Sequence, residues 1–211
     1  MRTDNLYEVP KSLPVPEDDG ACDHLAGMEV PSIALPATTG FVIDLSTERS
    51  NWTVVYCYPR TGRPDQEPQG GVDAWNAIPG ARGCTPQSCS YRDHFAELSD
   101  LGANVYGLST QNIEYQSEAA SRLHLPFPLL SDESLRLVYA LRLPTFVFGG
   151  MELTKRLTMI LHRGRVAHFF YPVFPSDSDA KLVMDWLRTA NAATRAGSPA
   201  APPALKLPES R

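Results

Sequence analysis

The sequence has no apolar run approaching the roughly 18 residues that a membrane span requires, so no transmembrane helix is expected. Its opening stretch, MRTDNLYEVPKSLPVPEDDG, carries no apolar segment of the kind found in a secretory leader, and none is read there. Basic residues are outnumbered: 19 Lys and Arg stand against 24 Asp and Glu, a formal charge of −5. That balance argues against a nucleic-acid surface or an anionic-membrane surface. Four cysteines in 211 residues are too few for a disulfide scaffold, and no Cys-x-x-Cys pair occurs. His24, His94, His124, His162 and His168 are scattered singly, whereas zinc gathers four ligands at close spacing, so no metal is expected. No internal repeat is visible. The expectation is a soluble, cytoplasmic chain with one ordinary domain.

What is present is enough apolar material for one core, 43% of residues, and a Pro and Gly surplus that is unevenly placed. Prolines mark residues 1–22, read as an extension, and residues 191–211, read as a flexible Pro/Ala-rich tail. A third cluster runs from Pro59 to Pro86 and reads as a long loop, which inside a domain is usually functional or disordered. Between these parts the periodicity alternates. Phe41–Leu45, Trp52–Tyr58, Asn104–Ser109 and Phe127–Leu130 read as strands, the second buried on both faces. Gln87–Ser99, Ile113–Leu123, Glu133–Leu141 and Asp179–Arg188 read as helices. Arg156–Leu161 and Val166–Tyr171, separated by His162-Arg-Gly-Arg165, form a hairpin signal. Helices alternating with strands, followed by a hairpin and a helix, indicate an α/β three-layer sandwich with a mixed sheet over residues 23–190.

The most informative stretch is Gly83-Cys84-Thr85-Pro86-Gln87-Ser88-Cys89. Proline lacks a backbone N–H and fits the first turn of a helix, so Pro86 fixes a helix start near Thr85. Cys84 then sits beside unpaired N–H groups at the positive end of the helix dipole, where a thiolate is stabilised. Cys89 lies five residues on, at a Cα separation of about 8–9 Å on an ideal helix. A disulfide needs about 7 Å or less, so these thiols cannot bond while the helix is intact. The spacing suits a thiol that is oxidised first and captured by its neighbour after the first turn unwinds. Two inert apolar cysteines are the alternative at this point.

The stretch PGARGCTPQSCSYRDHFAEL resembles the active-site helix of peroxiredoxins, particularly the bacterioferritin comigratory protein, or Q-type, subfamily. Gly83, Cys84, Thr85, Gln87, Cys89, Arg92 and Asp93 match that pattern. GMEVPSIALPATTGFVIDLS resembles the family's N-terminal hairpin, and VVYCYP, NVYGLST, LPFPLLSDESLRLVYALRL and RLTMILHRGRVAHFF follow in family order. The resemblance implies a thioredoxin-like fold and a thiol-dependent peroxidase acting on hydrogen peroxide or organic hydroperoxides without a cofactor. It implies that Cys84 is the peroxidatic cysteine and Cys89 the resolving one. Their disulfide would be reopened by thioredoxin or a similar dithiol. It also implies that Arg156 stabilises the thiolate and orients the peroxide. Monomer and homodimer are both compatible. Arg92 and Asp93 read as a pair on the helix surface.

The chain departs from the family at one place. Peroxiredoxins usually carry a Thr or Ser three residues before the peroxidatic cysteine; here that residue is Ala81, behind an insertion at about residues 60–82. Thr61, two residues after Pro59, is the expected substitute hydroxyl. Trp75 in the insertion reads as loop packing, with an apolar lid or a partner-contact patch as the alternative. Cys57 reads as core and Cys22 as a free thiol. Rival functions are a redox-sensing or regulatory thiol protein and a general thiol–disulfide oxidoreductase, the latter weakened by the missing Cys-x-x-Cys.

Overall fold

A run that is apolar or β-branched at successive positions, such as Trp52-Thr-Val-Val-Tyr-Cys57, is stable as a strand only where both faces of its sheet are covered. In the computed structural model, which describes residues 4–196, it is the central strand. The elements in order are β1 (Ala34–Pro36), β2 (Val42–Asp44), β3 (Trp52–Cys57), α1 (Val72–Asn76), α2 (Cys84–Asp93) and α3 (Phe95–Asp100). They continue with β4 (Ala103–Ser109), α4 (Ile113–Arg122), β5 (Leu129–Ser131), α5 (Arg136–Ala140), β6 (Thr145–Phe148) and β7 (Met151–Thr154). The last are β8 (Leu157–His162), β9 (Arg165–Phe170) and α6 (Asp179–Arg195).

The main sheet runs β5-β4-β3-β8-β9. β3, β4 and β5 are parallel, whereas β8 lies antiparallel to both β3 and β9, so the sheet is mixed. The two-residue alternation of β3 divides the core. Val54 and Tyr56 pack with Tyr91 of α2, Leu98 of α3, Ala119 of α4 and Trp186 of α6. Val55 and Cys57 face the other way, onto Leu137 and Val138 of α5 and onto Leu25, Leu35 and Leu45. Apolar layers on both sides of a mixed sheet make the expected thioredoxin-like sandwich, and β1–β2 is the expected hairpin, with Leu35 opposite Ile43. Gly107 in β4 allows Tyr56 to lie against the strand, since a Cβ there would fall 2.7 Å from the tyrosine oxygen.

The departures from expectation are local. The helix expected over 87–99 is two helices broken at His94, whose backbone (φ −104°, ψ 11°) leaves the helical region. The long loop contains α1, and Trp75 within it packs edge-on against Phe148, with ring centroids 5.0 Å apart. Phe148 belongs to the β6–β7 hairpin, which the sequence reading left out; its turn uses Gly149 and Gly150, both at positive φ. α5 begins at Arg136 because the Asp132 carboxylate accepts hydrogen bonds from the backbone N–H groups of Arg136 and Val138. α6 continues to Arg195, so residues 191–195, expected in the tail, are helical. The rest of that tail, from 197 onward, lies outside the described residues.

Candidate active site

Gly83 caps α2 with φ 106°, a conformation that side-chain-bearing residues rarely adopt, and a Cβ there would lie 2.1 Å from Ser176 Oγ. Both constraints require glycine, and together they fix the direction in which the helix leaves. Cys84 is the first helical residue, and Pro86 stands in the first turn as expected. Gln87 N–H donates to the Gly83 carbonyl at 3.0 Å. Cys84 is 3% exposed, and its thiol points at the Ala81 carbonyl, 3.6 Å away.

Arg156 stands at the junction of β7 and β8, and the β3–β8 pairing places it beside the start of α2. Its Nη2 donates to Cys84 Sγ at 3.2 Å. The rest of the guanidinium is held by the end of the insertion: Nε donates to the Gly80 carbonyl at 3.2 Å, and Nη2 to the carbonyls of Ala81 and Arg82 at 3.1 and 3.3 Å. Nη1 donates to the Gln87 side-chain carbonyl. Ala81 therefore contributes its backbone oxygen where the family usually has a hydroxyl side chain.

Behind Gln87 lies a buried acid that the sequence reading missed. Gln87 Nε2 donates to Asp179 Oδ2 at 2.6 Å, and the Thr158 hydroxyl donates to the same oxygen at 2.7 Å. Burial pushes the Asp179 carboxyl upward from its ordinary range, against the hydrogen bonds from Gln87 and Thr158 and the attraction of Arg156. The sequence signal for Asp179 was only an acidic residue at a helix start, which an ordinary surface cap also gives.

The other expected residues fall as follows. Cys89 is half-buried on α2, and burial raises its thiol above the ordinary value. Thr61 lines the same small cavity as Cys84, but its backbone N–H and its hydroxyl both donate to Gln111 Oε1, at 2.9 and 3.1 Å. Arg92 pairs with Asp93 at 2.8 Å and also donates to the Leu123 carbonyl. Cys22 and Cys57 are fully buried free thiols in the core; burial pushes Cys22 up to about 12 and Cys57 well above its ordinary value. Neither is poised to react.

A mixed sheet with a cysteine at a helix start against a buried guanidinium defines a thiol-site protein of the thioredoxin-like class. The chain belongs to the Redoxin family, whose model matches residues 25–184. It is 30% identical over 145 residues to the chloroplastic peroxiredoxin Q of Oryza sativa subsp. japonica, an alignment covering 69% of this chain and 58% of that protein. It is 27% identical over 167 residues to peroxiredoxin Bcp of Escherichia coli strain K12, covering 77% of this chain and 95% of the relative. The crystal structure of peroxidoxin BcpB from Mycobacterium tuberculosis superposes with a TM-score of 0.62 at 24% identity, covering 78% of this chain and 96% of that one. The last likeness concerns the fold. Among the described residues no helix is long and apolar enough to cross a membrane.

Proposed function

We propose that the chain is a thiol-dependent peroxidase in which Cys84 attacks the peroxide and Cys89 resolves the product. The observation that carries this reading is the guanidinium of Arg156, 3.2 Å from Cys84 Sγ at the first residue of a helix. A fixed cation and helix N–H groups favour negative charge on the sulfur and on the oxygens of the breaking bond. The Cys84 thiolate attacks one peroxide oxygen and the O–O bond breaks. The peroxide proton passes to the leaving oxygen, which departs as water or an alcohol. The sulfenate left on Cys84 takes a proton from solvent. The Cys89 thiol then attacks that sulfur, the S–S bond forms and water leaves.

Closing the disulfide requires the first turn of α2 to unwind, because an ideal helix holds the two Cα atoms about 8–9 Å apart. The side chains to be released are Gln87 from Arg156 and Asp179, and Ser88 from Tyr56, whose hydroxyl donates to Ser88 Oγ at 3.1 Å. The proposal extends to a thioredoxin-like dithiol reductant acting by thiol–disulfide exchange in a reducing, cytoplasmic setting. It also takes residues 23–190 as the catalytic domain of a monomer or homodimer, with Thr61 as the hydroxyl that stands in for the one missing at Ala81.

The reading is tested with Cys89→Ser. One equivalent of hydrogen peroxide should leave a trappable sulfenic acid on Cys84, and excess should drive it to sulfinic acid. Thioredoxin-linked turnover should fall by at least about 100-fold, because reductant must then meet the sulfenic acid directly. Turnover equal to that of the unaltered chain would remove Cys89 as the resolving thiol.

A further inference from the structure

Residues 4–19 precede the family match and run along the very backbone that holds Arg156. Arg82, buried beside Gly83 and Cys84, donates to the Asp4 carboxylate and the Asn5 carbonyl. Leu6 is 8% exposed and lines the space above Cys84 with Trp75, Thr61, Pro68 and Tyr115. Val9 comes within 3.6 Å of the position a Cβ on Gly83 would occupy, and Pro16 within 3.5 Å of the same point on Gly80. Asp19 then fastens the segment to the domain. Its carboxylate accepts from Lys155 at 2.7 Å and from the Tyr171 hydroxyl at 2.8 Å, and these bonds hold its pKa at about 2.

The segment and the insertion line a small, partly open space above Cys84, with a volume of about 30 Å³. One water needs roughly 10–15 Å³ on this measure, so the space holds about two. Hydrogen peroxide, two oxygens long, fits there. A branched alkyl or aryl group must pass Leu6 and Trp75, which line that space.

We propose that residues 4–9, through Leu6 held by the Asp4–Arg82 pair, act with Trp75 as a size filter that admits hydrogen peroxide and excludes bulky organic hydroperoxides. This inference rests on the thiol-peroxidase reading and narrows its substrate class. It also gives Trp75 of the insertion a role, as the fixed wall opposite Leu6.

The test is the second-order rate constant for Cys84 oxidation by hydrogen peroxide and by cumene hydroperoxide, in the full chain and in Leu6→Ala and Asp4→Ala. In the unaltered chain hydrogen peroxide should react at least about 100-fold faster, the upper range for exclusion by pocket size. In each variant the ratio of cumene hydroperoxide to hydrogen peroxide should rise at least about tenfold. Leu6→Ala enlarges the space and Asp4→Ala releases the segment, so they probe the filter by independent contacts. Denaturation midpoints establish that both variants are folded. A ratio near one in the unaltered chain, or a ratio unchanged in both folded variants, overturns the filter alone. Failure of both peroxides to oxidise Cys84 in all three proteins overturns the peroxidase reading and the filter with it.

Discussion

Cys84→Ser is expected to reduce peroxide consumption to the rate of buffer, a loss of at least about 10⁴-fold of the kind seen when an activated nucleophile is removed. The loss is chemical and not structural. Serine is close to cysteine in size, and the hydroxyl finds the Ala81 carbonyl that the thiol already faces. Stability should change by less than about 1 kcal/mol, as for other near-isosteric changes without a lost contact. Arg156 still presents its guanidinium, so a peroxide can enter and be oriented. What is missing is a sulfur nucleophile soft enough to break an O–O bond. Peroxide consumption in a coupled assay and a denaturant melt read the two effects separately. Substantial residual turnover would assign the chemistry to another thiol.

Arg156→Met is expected to reduce the rate constant for Cys84 oxidation by about 10²–10³-fold, the range for removing one preorganised charge-stabilising donor. It should also destabilise the fold by about 3–5 kcal/mol, as expected when one member of a buried charged network is lost. Arg156 is 3% exposed, and the carbonyls of Gly80, Ala81 and Arg82 and the Gln87 side chain all lose a donor with it. Arg156→Lys keeps the charge but presents a single ammonium, which cannot reach the carbonyls and the sulfur together. Its rate should fall between those of the other two proteins. Stopped-flow fluorescence follows the oxidation and denaturant melts follow stability. A Met variant within threefold of the unaltered rate would show that the guanidinium serves structure alone.

Much of this site could be read from the chain because its determinants are local. Pro86 and Gly83 act within one turn of Cys84, so the helix start and the position of the thiol follow from backbone rules alone. β3 announces itself as a strand covered on both faces, and the β8–β9 hairpin carries its own turn. The pairings that escaped are the ones between distant residues. Trp75 needs Phe148 for α1 and β6–β7 to make sense, and a Pro/Gly-rich stretch looks like loop until that partner is known. Asp179 is a core acid only because β8 and α2 close over it. Thr61, the expected substitute hydroxyl, lines the cavity beside Cys84, but Gln111, fifty residues away, takes its hydroxyl. Leu6 and Asp4 belong to a stretch whose prolines and charges read as an extension with nothing to bury, and Arg82 supplies the tie that holds it down.

The most direct test of Cys84 and Cys89 as the reacting pair is a mass map of the cysteines after one equivalent of hydrogen peroxide, without reductant. A bond between Cys84 and Cys89 should form, with Cys22 and Cys57 recovered as thiols. Recovery of Cys84 as a free thiol beside any oxidised cysteine would contradict it.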